Sequence, residues 1–271
     1  MRRNLEVLIS SLEKDPVKLA SHMNLECDAV IINQGSKEHS YEYGMSNGLT
    51  LRVFETKERG VGRSRNRAID AADSKIVLFA DDDIVYTKGY AEKVLSAFKE
   101  DPKADIIMFN FNVNAKRRTY FTEQETSVSR WTLGRYPAFA AAARLSSITN
   151  AKVRFSTLFG GGAKYSNGED SLFFMECIKA GLKIKAVPVT IGIEEPRKST
   201  WFNGYNEKFF KDRGVLFSFL YGKTAVLWAF RFAVAKRKLY MNSMKPSEAF
   251  KLMKQGIDEG NTIKKDNPHG R

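Results

Sequence analysis

Cysteine and histidine are scarce in this chain of 271 residues, which has two cysteines and three histidines. Cys27 and Cys177 are far apart in the sequence and lack the spacing of metal ligands. The simplest interpretation is a reduced, cytoplasmic chain in which both thiols are buried. His22, His39 and His269 are scattered along the chain, and we assign none of them a catalytic role.

Long hydrophobic runs are also missing. The apolar stretch at residues 5–9 follows two arginines but is too short for a signal peptide. In the last third, Lys223 and Arg231 interrupt every long apolar run, so we expect no membrane-spanning segment. The glycines lack the dinucleotide-binding spacing, and there is no complete phosphate-binding loop of the P-loop type. These absences argue against a nicotinamide enzyme and a P-loop protein.

Acidic residues are outnumbered by basic ones, because 44 Lys and Arg face 31 Asp and Glu and give a formal net charge of +13. Such an excess favours anionic partners, which include nucleic acid, an acidic membrane surface and phosphorylated substrates. A chain of this length with 43% hydrophobic residues can bury one sizeable core and carry an appended segment. We therefore expect one main domain and an appended extension, and the change of composition at Pro196 places them at residues 1–195 and 196–271.

The first two thirds of the chain alternate short apolar runs with segments long enough for helices or loops. This alternation predicts an α/β sandwich with a largely parallel central sheet. The predicted strands cover residues 5–9, 29–32, 49–54, 76–80 and 105–111.

Three consecutive aspartates, Asp81, Asp82 and Asp83, follow the predicted strand at residues 76–80. Ligands of open α/β sheets bind at the carboxyl ends of the strands. Three like charges repel one another, and a divalent cation relieves the repulsion, because Mg²⁺ is usually held by carboxylates together with substrate phosphates. The triplet therefore indicates a nucleotide-diphosphate site. A solvated loop that caps the next helix explains the triplet, taken alone, about equally well.

A second charged segment begins at Gly60 and Gly62 and continues as a predicted helix to about residue 72, with arginines at positions 63, 65 and 67. Exposed amides at a helix start, together with guanidinium groups, form a plausible anion site. Taken alone, the segment is better explained as a flexible turn followed by a solvated basic face.

A third charged segment places Glu169 and Asp170 in the first turn of an amphipathic helix that Gly181 ends. Carboxylates are favoured at helix starts by the dipole and by capping, so a structural role is a strong alternative. The glycine run at residues 160–162 allows a loop to approach a ligand closely, or forms a plain turn.

The order of these segments resembles the family 2 glycosyltransferases. The resemblance covers roughly residues 4–195 and depends on the opening strand, on Arg65-Asn66, on the aspartate triplet and on Glu169-Asp170. It implies a GT-A-like (Rossmann-like) three-layer sandwich with a mainly parallel central sheet, followed by a helical extension. It also implies a metal-dependent, inverting hexosyl transfer from a nucleotide sugar, with UDP the commonest donor nucleotide of the family.

The resemblance assigns roles to individual residues. Asp81 and Asp83 match the ends of the family's Asp-X-Asp motif, which coordinates Mn²⁺ or Mg²⁺, while Asp81 and Asp82 face the donor. Asp170 matches the general base that deprotonates the acceptor hydroxyl, with Glu169 beside it. The remaining donor-binding residues implied are Ser10, Ser11, Asn33 and Arg65.

Two positions depart from the family pattern. Asn33 stands where the family often has an aspartate that reads the nucleotide base, so the identity of the base stays open. Residues 190–196 lack the histidine that many members place near the metal. Glu194 or Glu195 are oxygen ligands that could replace it, although exposed loop carboxylates are the favoured interpretation.

From Pro196 onward the sequence becomes aromatic and basic, beginning with Trp201 and Phe202. Two interpretations are equally supported: a segment that lies on an anionic bilayer, and a pair of helices that packs on the catalytic core. The polar end at residues 258–271 is expected to fray. With the resemblance, the membrane interpretation predicts extension of a lipid-linked saccharide on the cytoplasmic face of the inner membrane, in bacterial cell-surface polysaccharide biosynthesis.

Two other classes of function compete with glycosyl transfer. A sugar nucleotidyltransferase also uses Mg²⁺ and clustered aspartates, but the chain lacks the glycine-rich amino-terminal loop followed by lysine that grips a triphosphate. A basic nucleic-acid-binding protein without catalytic activity would explain the charge and the aromatic residues. It leaves the acidic segments unexplained, because clustered carboxylates repel a polyanion, so we expect no nucleic-acid partner.

Overall fold

The computed structural model describes residues 3–113, 119–196 and 204–266. Trp201, Phe202 and His269 lie outside these ranges. The strands are β1 (Arg3–Leu12), β2 (Asp28–Gln34), β3 (His39–Gly44), β4 (Thr50–Thr56), β5 (Ser74–Asp81), β6 (Ile84–Tyr86), β7 (Ile106–Asn112), β8 (Thr126–Ser127), β9 (Ala141–Arg144) and β10 (Ile184–Glu194). The helices are α1 (Pro16–His22), α2 (Val61–Ala71), α3 (Tyr90–Glu100), α4 (Leu145–Asn150), α5 (Glu169–Lys179), α6 (Glu207–Tyr221), α7 (Ala225–Ala235) and α8 (Pro246–Asp266).

The strands form one mixed sheet in the order β3-β4-β2-β1-β5-β9-β7-β10-β6, with β8 paired to β10. The four strands β4, β2, β1 and β5 are parallel, as predicted. The predicted strand at residues 105–111 is β7, which pairs in parallel with β10 rather than with β5. The short β9, which was not predicted, lies antiparallel between β5 and β7. Its alanine-rich sequence has no β-branched or aromatic residue, so composition does not reveal it.

Both faces of the sheet are buried, which confirms the predicted three-layer sandwich. Val7, Ile9 and Leu78 face a core that includes side chains of α1 and α3. Leu8 and Phe79 face a second core, which includes side chains of α2, α4 and α5. Because alternate residues of one strand enter opposite cores, the central strands read as continuous apolar runs.

The predicted helical extension is present and forms a third hydrophobic cluster of its own, built mainly from α6, α7 and α8. Phe159 and Tyr165, which precede α5, join this cluster. The expected fraying from residue 258 onward is wrong as far as Asp266, because α8 continues to that residue and packs Gly260 against α6. The domain boundary at residues 195 and 196 stays a prediction.

The stretch at residues 207–235 is long and apolar enough to cross a membrane by length and composition. The chain nevertheless reverses its direction at Gly222, where α6 ends. Ring contacts between the two helices show the reversal, since Tyr221 stacks on Trp228 and Phe217 lies against Phe232. The stretch is therefore a hairpin of helices with 15 and 11 residues. Each helix is shorter than the roughly 20 residues that a spanning helix needs.

Both cysteines carry free thiols. Cys177 is buried in the core beneath α5, and Cys27 is partly buried with its sulfur 3.4 Å from the hydroxyl of Tyr90. Burial raises the pKa of Cys27 to about 12, so the thiol stays protonated and unreactive at neutral pH.

The packing of α6 on α8 requires glycine at their contact. A Cβ at Gly256 would lie 2.0 Å from the carbonyl oxygen of Lys211. We expect Gly256→Ala to destabilise the protein by about 1–3 kcal/mol, because overpacking outweighs the better helix propensity of alanine. Gly44 has nothing within 4 Å of its Cβ position and provides the control. Equal melting temperatures for Gly256→Ala and Gly44→Ala would contradict the packing argument.

Candidate active site

A cleft opens at the carboxyl ends of β1 and β5. The strand register places Ser10 beside Asp81 and Ser11 beside Asn33. The cleft has a volume of about 680 Å³. Its walls come from β1, β2, β5, α2 and the glycine run before α5, and include Ser10, Ser11, Lys14, Gln34, Arg59, Gly60, Val61, Arg65, Asp81, Asp82, Gly161, Gly162 and Glu169. This is the edge of the sheet that the sequence predicted.

Arg65 of α2 is the centre of the site and is only 3% exposed. Its guanidinium donates hydrogen bonds to Asp81 at 3.0 Å, to Glu169 at 3.1 Å and to Asp170 at 2.7 Å. The guanidinium carbon lies 5.2 Å from the ring centre of Phe155. Carboxylates of two separate motifs therefore meet at one buried cation.

One guanidinium facing three carboxylates leaves this cluster formally negative. Burial raises the pKa of Glu169 to about 8; the charge of Asp170 adds to the shift and Arg65 opposes it. Burial likewise raises the pKa of Asp170. The start of a helix tends to lower the pKa of a carboxyl group, and here the loss of solvation outweighs that effect.

The position of α2 is fixed by close contact with the segment before the glycine run. The side chain of Asn66 donates to the carbonyl oxygen of Phe155 at 2.9 Å and accepts from its amide at 2.8 Å. A Cβ at Gly62 would lie 2.1 Å from the carbonyl oxygen of Ser156. Both contacts bring α2, and with it Arg65, against the start of α5.

Glycines also allow Glu169 and Asp170 to reach the cluster. Gly160 has a φ of +103°, and a Cβ there would lie 2.8 Å from the carboxyl carbon of Glu169. Gly168, directly before α5, has a φ of +113°, and its Cβ would lie 2.5 Å from Leu216 of α6. The glycine run therefore permits close approach, and what approaches it is the protein's own Glu169.

Helix α6 holds the loop before α5 by a buried carboxylate. Asp212 is 5% exposed and accepts hydrogen bonds from the amide and the hydroxyl of Ser166, both at 3.0 Å. Lys208 pairs with the same carboxylate. The extension thus positions the start of α5, which the sequence did not predict.

Of the three arginines predicted at the start of α2, only Arg65 reaches the cluster. Arg63 pairs with Glu58 and Arg67 pairs with Glu38, in exposed positions. Residues two positions apart on a helix point in different directions, so the three arginines of the predicted anion site do not meet at one place.

Asn33 supports the loop after β1. Its side-chain oxygen accepts from the hydroxyl of Ser11 at 3.0 Å and from the amide of Lys14 at 3.1 Å. The next residue, Gln34, lines the cleft and accepts from the amide of Gly60 at 2.7 Å. The predicted role of Asn33 in donor binding is not tested by these contacts.

The aspartate triplet is divided between two neighbouring clefts. Asp81 lines the main cleft and pairs with Arg65, and Asp82 lines both clefts. Asp83 is 7% exposed and lines a second cleft of about 420 Å³ that also contains His22 and Glu195. The structure therefore does not bring the predicted metal pair, Asp81 and Asp83, into one cleft.

The fit of a metal ion follows from this division. Within residues 3–113, 119–196 and 204–266, no group of three or more His, Cys, Asp and Glu side chains could hold a metal. Asp82 and Asp83 still offer the one or two carboxylates with which Mg²⁺ is usually held when phosphates complete its ligand shell. These residues fit an ion that arrives with a diphosphate, and not one held by protein alone.

The carboxylates near residue 195 differ from expectation. Glu194 is the last residue of β10 and is 9% exposed, so the interpretation as an exposed loop residue is wrong for it. Glu195 lies 2.9 Å from the imidazole Nε2 of His22 and is about half exposed. His22 was given no role from the sequence, because no motif connects residues so far apart.

A third cleft, of about 700 Å³, contains Asp170. Glu169 and Gly161 line both this cleft and the main one, so the two meet there. The wall opposite Asp170 comes largely from the extension and consists of Tyr205, Phe209, Arg213, Phe232, Lys236 and Leu239. The sequence of the extension, in which aromatic and basic residues alternate, did not predict which of its side chains line the cleft of Asp170.

Comparisons with known proteins agree with this architecture. Residues 3–159 match the model of Glycosyl transferase family 2. The structure is similar to that of residues 1–349 of TarS from S. aureus in complex with UDP-GlcNAc, with a TM-score of 0.60 and 14% identity over 99% of this chain and 92% of that one. The same TarS fragment with UDP gives a TM-score of 0.55 at 16% identity, over 99% and 92% of the two chains.

The mannosyltransferase PcManGT from Pyrobaculum calidifontis, in complex with GDP-Man and Mn²⁺, gives a TM-score of 0.52 at 14% identity over 97% of this chain and 76% of that one. A comparison with curated proteins finds no match. At these identities the likeness establishes the fold, which is GT-A-like. The family match ends before Glu169 and Asp170, so the roles of these two residues stay predictions.

The raised pKa of Glu169 has a consequence for stability. Between pH 4.5 and about 8 the folded protein keeps a proton on Glu169 that the unfolded chain has lost, so this group makes the protein less stable as pH rises. Glu169→Gln cannot ionise. We expect the melting temperature of this variant, relative to that of wild type, to rise between pH 5 and pH 8. The rise should be roughly 2–4 °C for each kcal/mol of unfolding free energy that wild type loses. Thermal unfolding across this range tests it, with exposed Glu100→Gln as the control, and parallel curves for Glu169→Gln and wild type would contradict it.

Proposed function

The chain belongs to glycosyl transferase family 2, and on that basis we propose that it transfers a sugar from a UDP-sugar to a hydroxyl group of a saccharide or lipid-linked saccharide, with inversion of anomeric configuration. One observation carries the proposal: two clefts meet at Glu169, one rich in phosphate-binding groups and the other containing Asp170. Transfer between two bound substrates requires such a junction.

The main cleft suits the donor diphosphate. Lys14 and Arg59 line it, and α2 begins beside it at Val61. Cations and the amino end of a helix both favour bound phosphate. UDP-GlcNAc and UDP in TarS, and GDP-Man with Mn²⁺ in the mannosyltransferase, support a nucleotide-sugar donor.

The aspartate triplet suits the metal of such a donor. Asp83 and Asp82, with Asp81 at the edge of the main cleft, would hold Mn²⁺ or Mg²⁺ together with the diphosphate. When bound, the ion supplies positive charge to the departing diphosphate.

Asp170 is the proposed general base, because it lines the cleft on the acceptor side. Burial raises its pKa, which makes it a better proton acceptor than an exposed aspartate. The hydrogen bond from Arg65 favours its ionised form and fixes its direction. Attack from this side, opposite the leaving diphosphate, inverts the anomeric configuration, so an α-linked donor gives a β-glycoside.

A membrane-bound acceptor is supported by α7, whose apolar residues are divided unusually between its two faces. The residues that α7 buries completely are small, namely Ala225, Ala229 and Ala233, and the larger apolar residues that it exposes are Val226, Leu227, Phe230 and Val234. Leu227 is 70% exposed and Phe230 is 57% exposed. Phe230 makes one edge contact with Phe250 of α8, with 5.7 Å between the ring centres, but packing against α6 and α8 still leaves this face largely exposed.

The charge around α7 fits an anionic phospholipid surface. Residues 213–247 contain seven Lys and Arg and no Asp or Glu. Apolar side chains with a cationic border are typical of helices that lie in the membrane interface. Phe232 and Lys236 of the same segment line the Asp170 cleft, so a lipid-linked saccharide held at this surface would enter beside the base.

We therefore propose a peripheral enzyme on the cytoplasmic face of the inner membrane that acts in bacterial cell-surface polysaccharide biosynthesis. Sugar nucleotidyl transfer and nucleic-acid binding are not proposed, because family membership favours glycosyl transfer and the buried carboxylates disfavour a polyanion.

Catalysis is tested with nucleotide sugars in the presence of Mn²⁺ or Mg²⁺, by calorimetric binding and by nucleotide release with a panel of saccharide acceptors. We expect Asp170→Asn to keep donor binding and to lower transfer by about 100-fold to 10,000-fold, since the general base is lost. Asp83→Asn should lose the metal-dependent part of donor binding. Exposed Asp258→Asn of α8 is the matched control, and normal transfer by Asp170→Asn would reject the base assignment.

Membrane binding is tested by flotation with phosphatidylcholine vesicles, with and without one third phosphatidylglycerol. The double variant Leu227→Glu, Phe230→Glu should bind the anionic vesicles at least about tenfold more weakly, because burying each side chain contributes about 1.5–3 kcal/mol. The double variant Gln255→Glu, Asn261→Glu adds the same charge on exposed positions of α8 and should bind like wild type. If wild type does not float, or if the α7 variant floats equally well, α7 is not a membrane-binding surface.

A further inference from the structure

Arg213 of α6 lies in the wall of the Asp170 cleft without an acidic partner. In the described part of the chain it makes no ion pair, and its Nε is buried without a hydrogen-bond acceptor. Arg213 is half-buried, and removing its Nε from water is costly unless another group replaces the lost hydrogen bond. Arg65 has a buried Nε without an acceptor too, but three carboxylates pair with it, so the contrast lies in the ion pairs. It indicates that the anionic partner of Arg213 is not part of the described chain.

Two aromatic rings hold this guanidinium in place. Its carbon lies 5.1 Å from the ring centre of Phe209 and 5.3 Å from that of Phe232. Contacts of this kind stabilise the cation and restrict its rotation. The two ring centres are 6.5 Å apart, so the guanidinium packs beside this pair of rings rather than between them. Its planar set of donors matches a ligand with two oxygens.

Two further cations line the same cleft, Arg135 and Lys236, and both are exposed. The carboxylates of the cleft, Glu169 and Asp170, bind Arg65 and not these three cations. The cleft therefore has a negative end at Asp170 and a separate group of cations that make no ion pair in the described part of the chain.

We propose that Arg213, with Arg135 and Lys236, forms a phosphate-binding subsite for the acceptor. Three cations match the charge of a phosphate or diphosphate better than that of a single carboxylate. This inference rests on the proposed function, because it identifies the ligand of the Asp170 cleft as the acceptor. The phosphate has two chemical sources, the diphosphate of a lipid-linked saccharide and the phosphodiester of a phosphate-linked polymer.

The subsite is located by NMR on the full-length protein with UDP in the donor cleft. The arginine Nε–H signal that disappears in Arg213→Lys identifies Arg213. Methyl diphosphate and dimethyl phosphate represent the two sources, and sodium chloride is the control at equal ionic strength. We expect the Arg213 signal to move at millimolar concentrations of at least one probe, and the tighter probe identifies the source. Movement with neither probe, or equal movement with sodium chloride, would overturn the proposal.

Affinity is measured by calorimetry with the tighter probe. Arg213→Met keeps an apolar side chain beside the two rings and should weaken binding at least tenfold. Lys251→Met, an equal change of charge at an exposed position of α8, should leave binding unchanged. Wild-type affinity in Arg213→Met would reject the subsite. If Arg213→Met is misfolded, as judged by its melting temperature, the exposed pair Arg135→Gln, Lys236→Gln decides by the same criterion.

UDP binding is measured separately in the same samples, so the two proposals fail independently. If wild type does not bind UDP, the result would count against the proposed nucleotide-sugar donor. Absence of a phosphate response at Arg213, with UDP bound, would count against the subsite alone.

Discussion

The ion-pair cluster around Arg65 is the interaction on which the site depends. Its three carboxylates come from β5 and from the start of α5, and they share a single guanidinium. Breaking one side of a buried pair costs about 3–5 kcal/mol, because the remaining charge is left without a partner. The close contacts of Gly62 with Ser156 and of Gly160 with Glu169 follow from this requirement, since α2 and α5 must both approach the cluster.

The two clefts differ in how they are built. The walls of the main cleft come mainly from residues 3–159, the part that matches the family. The cleft of Asp170 is completed by α6 and α7, which lie outside that part. The extension also fixes the start of α5, through Asp212 with Ser166 and Leu216 with Gly168. The proposed donor cleft thus lies mainly in the part that matches the family, whereas the cleft of the proposed base is completed by the extension, and Glu169 lines both.

The sequence predicted most of the strands and site residues that local sequence patterns encode. The strands β1, β2, β4 and β5 were evident, because burial on both faces leaves continuous apolar runs. Arg65 and Asp170 were identified separately, but their contact was not, since no periodicity relates residues 105 positions apart. The division of Asp81 from Asp83 and the direction of Arg213 depend on tertiary packing in the same way. The strand β9 was missed because its alanines favour a helix over a strand.

Part of the excess positive charge of the chain is concentrated in the extension. Three carboxylates at the site pair with Arg65, whereas residues 213–247 contain seven cations and no Asp or Glu. The α6–α7 hairpin exposes apolar side chains on α7, while its cations and aromatic residues line the cleft of Asp170. The proposed acceptor, with a lipid end, an anionic link and a sugar end, has a matching surface for each of its parts. A polyanion alone would leave the apolar outer face of α7 unexplained, so the positive charge fits better as one part of an amphipathic surface.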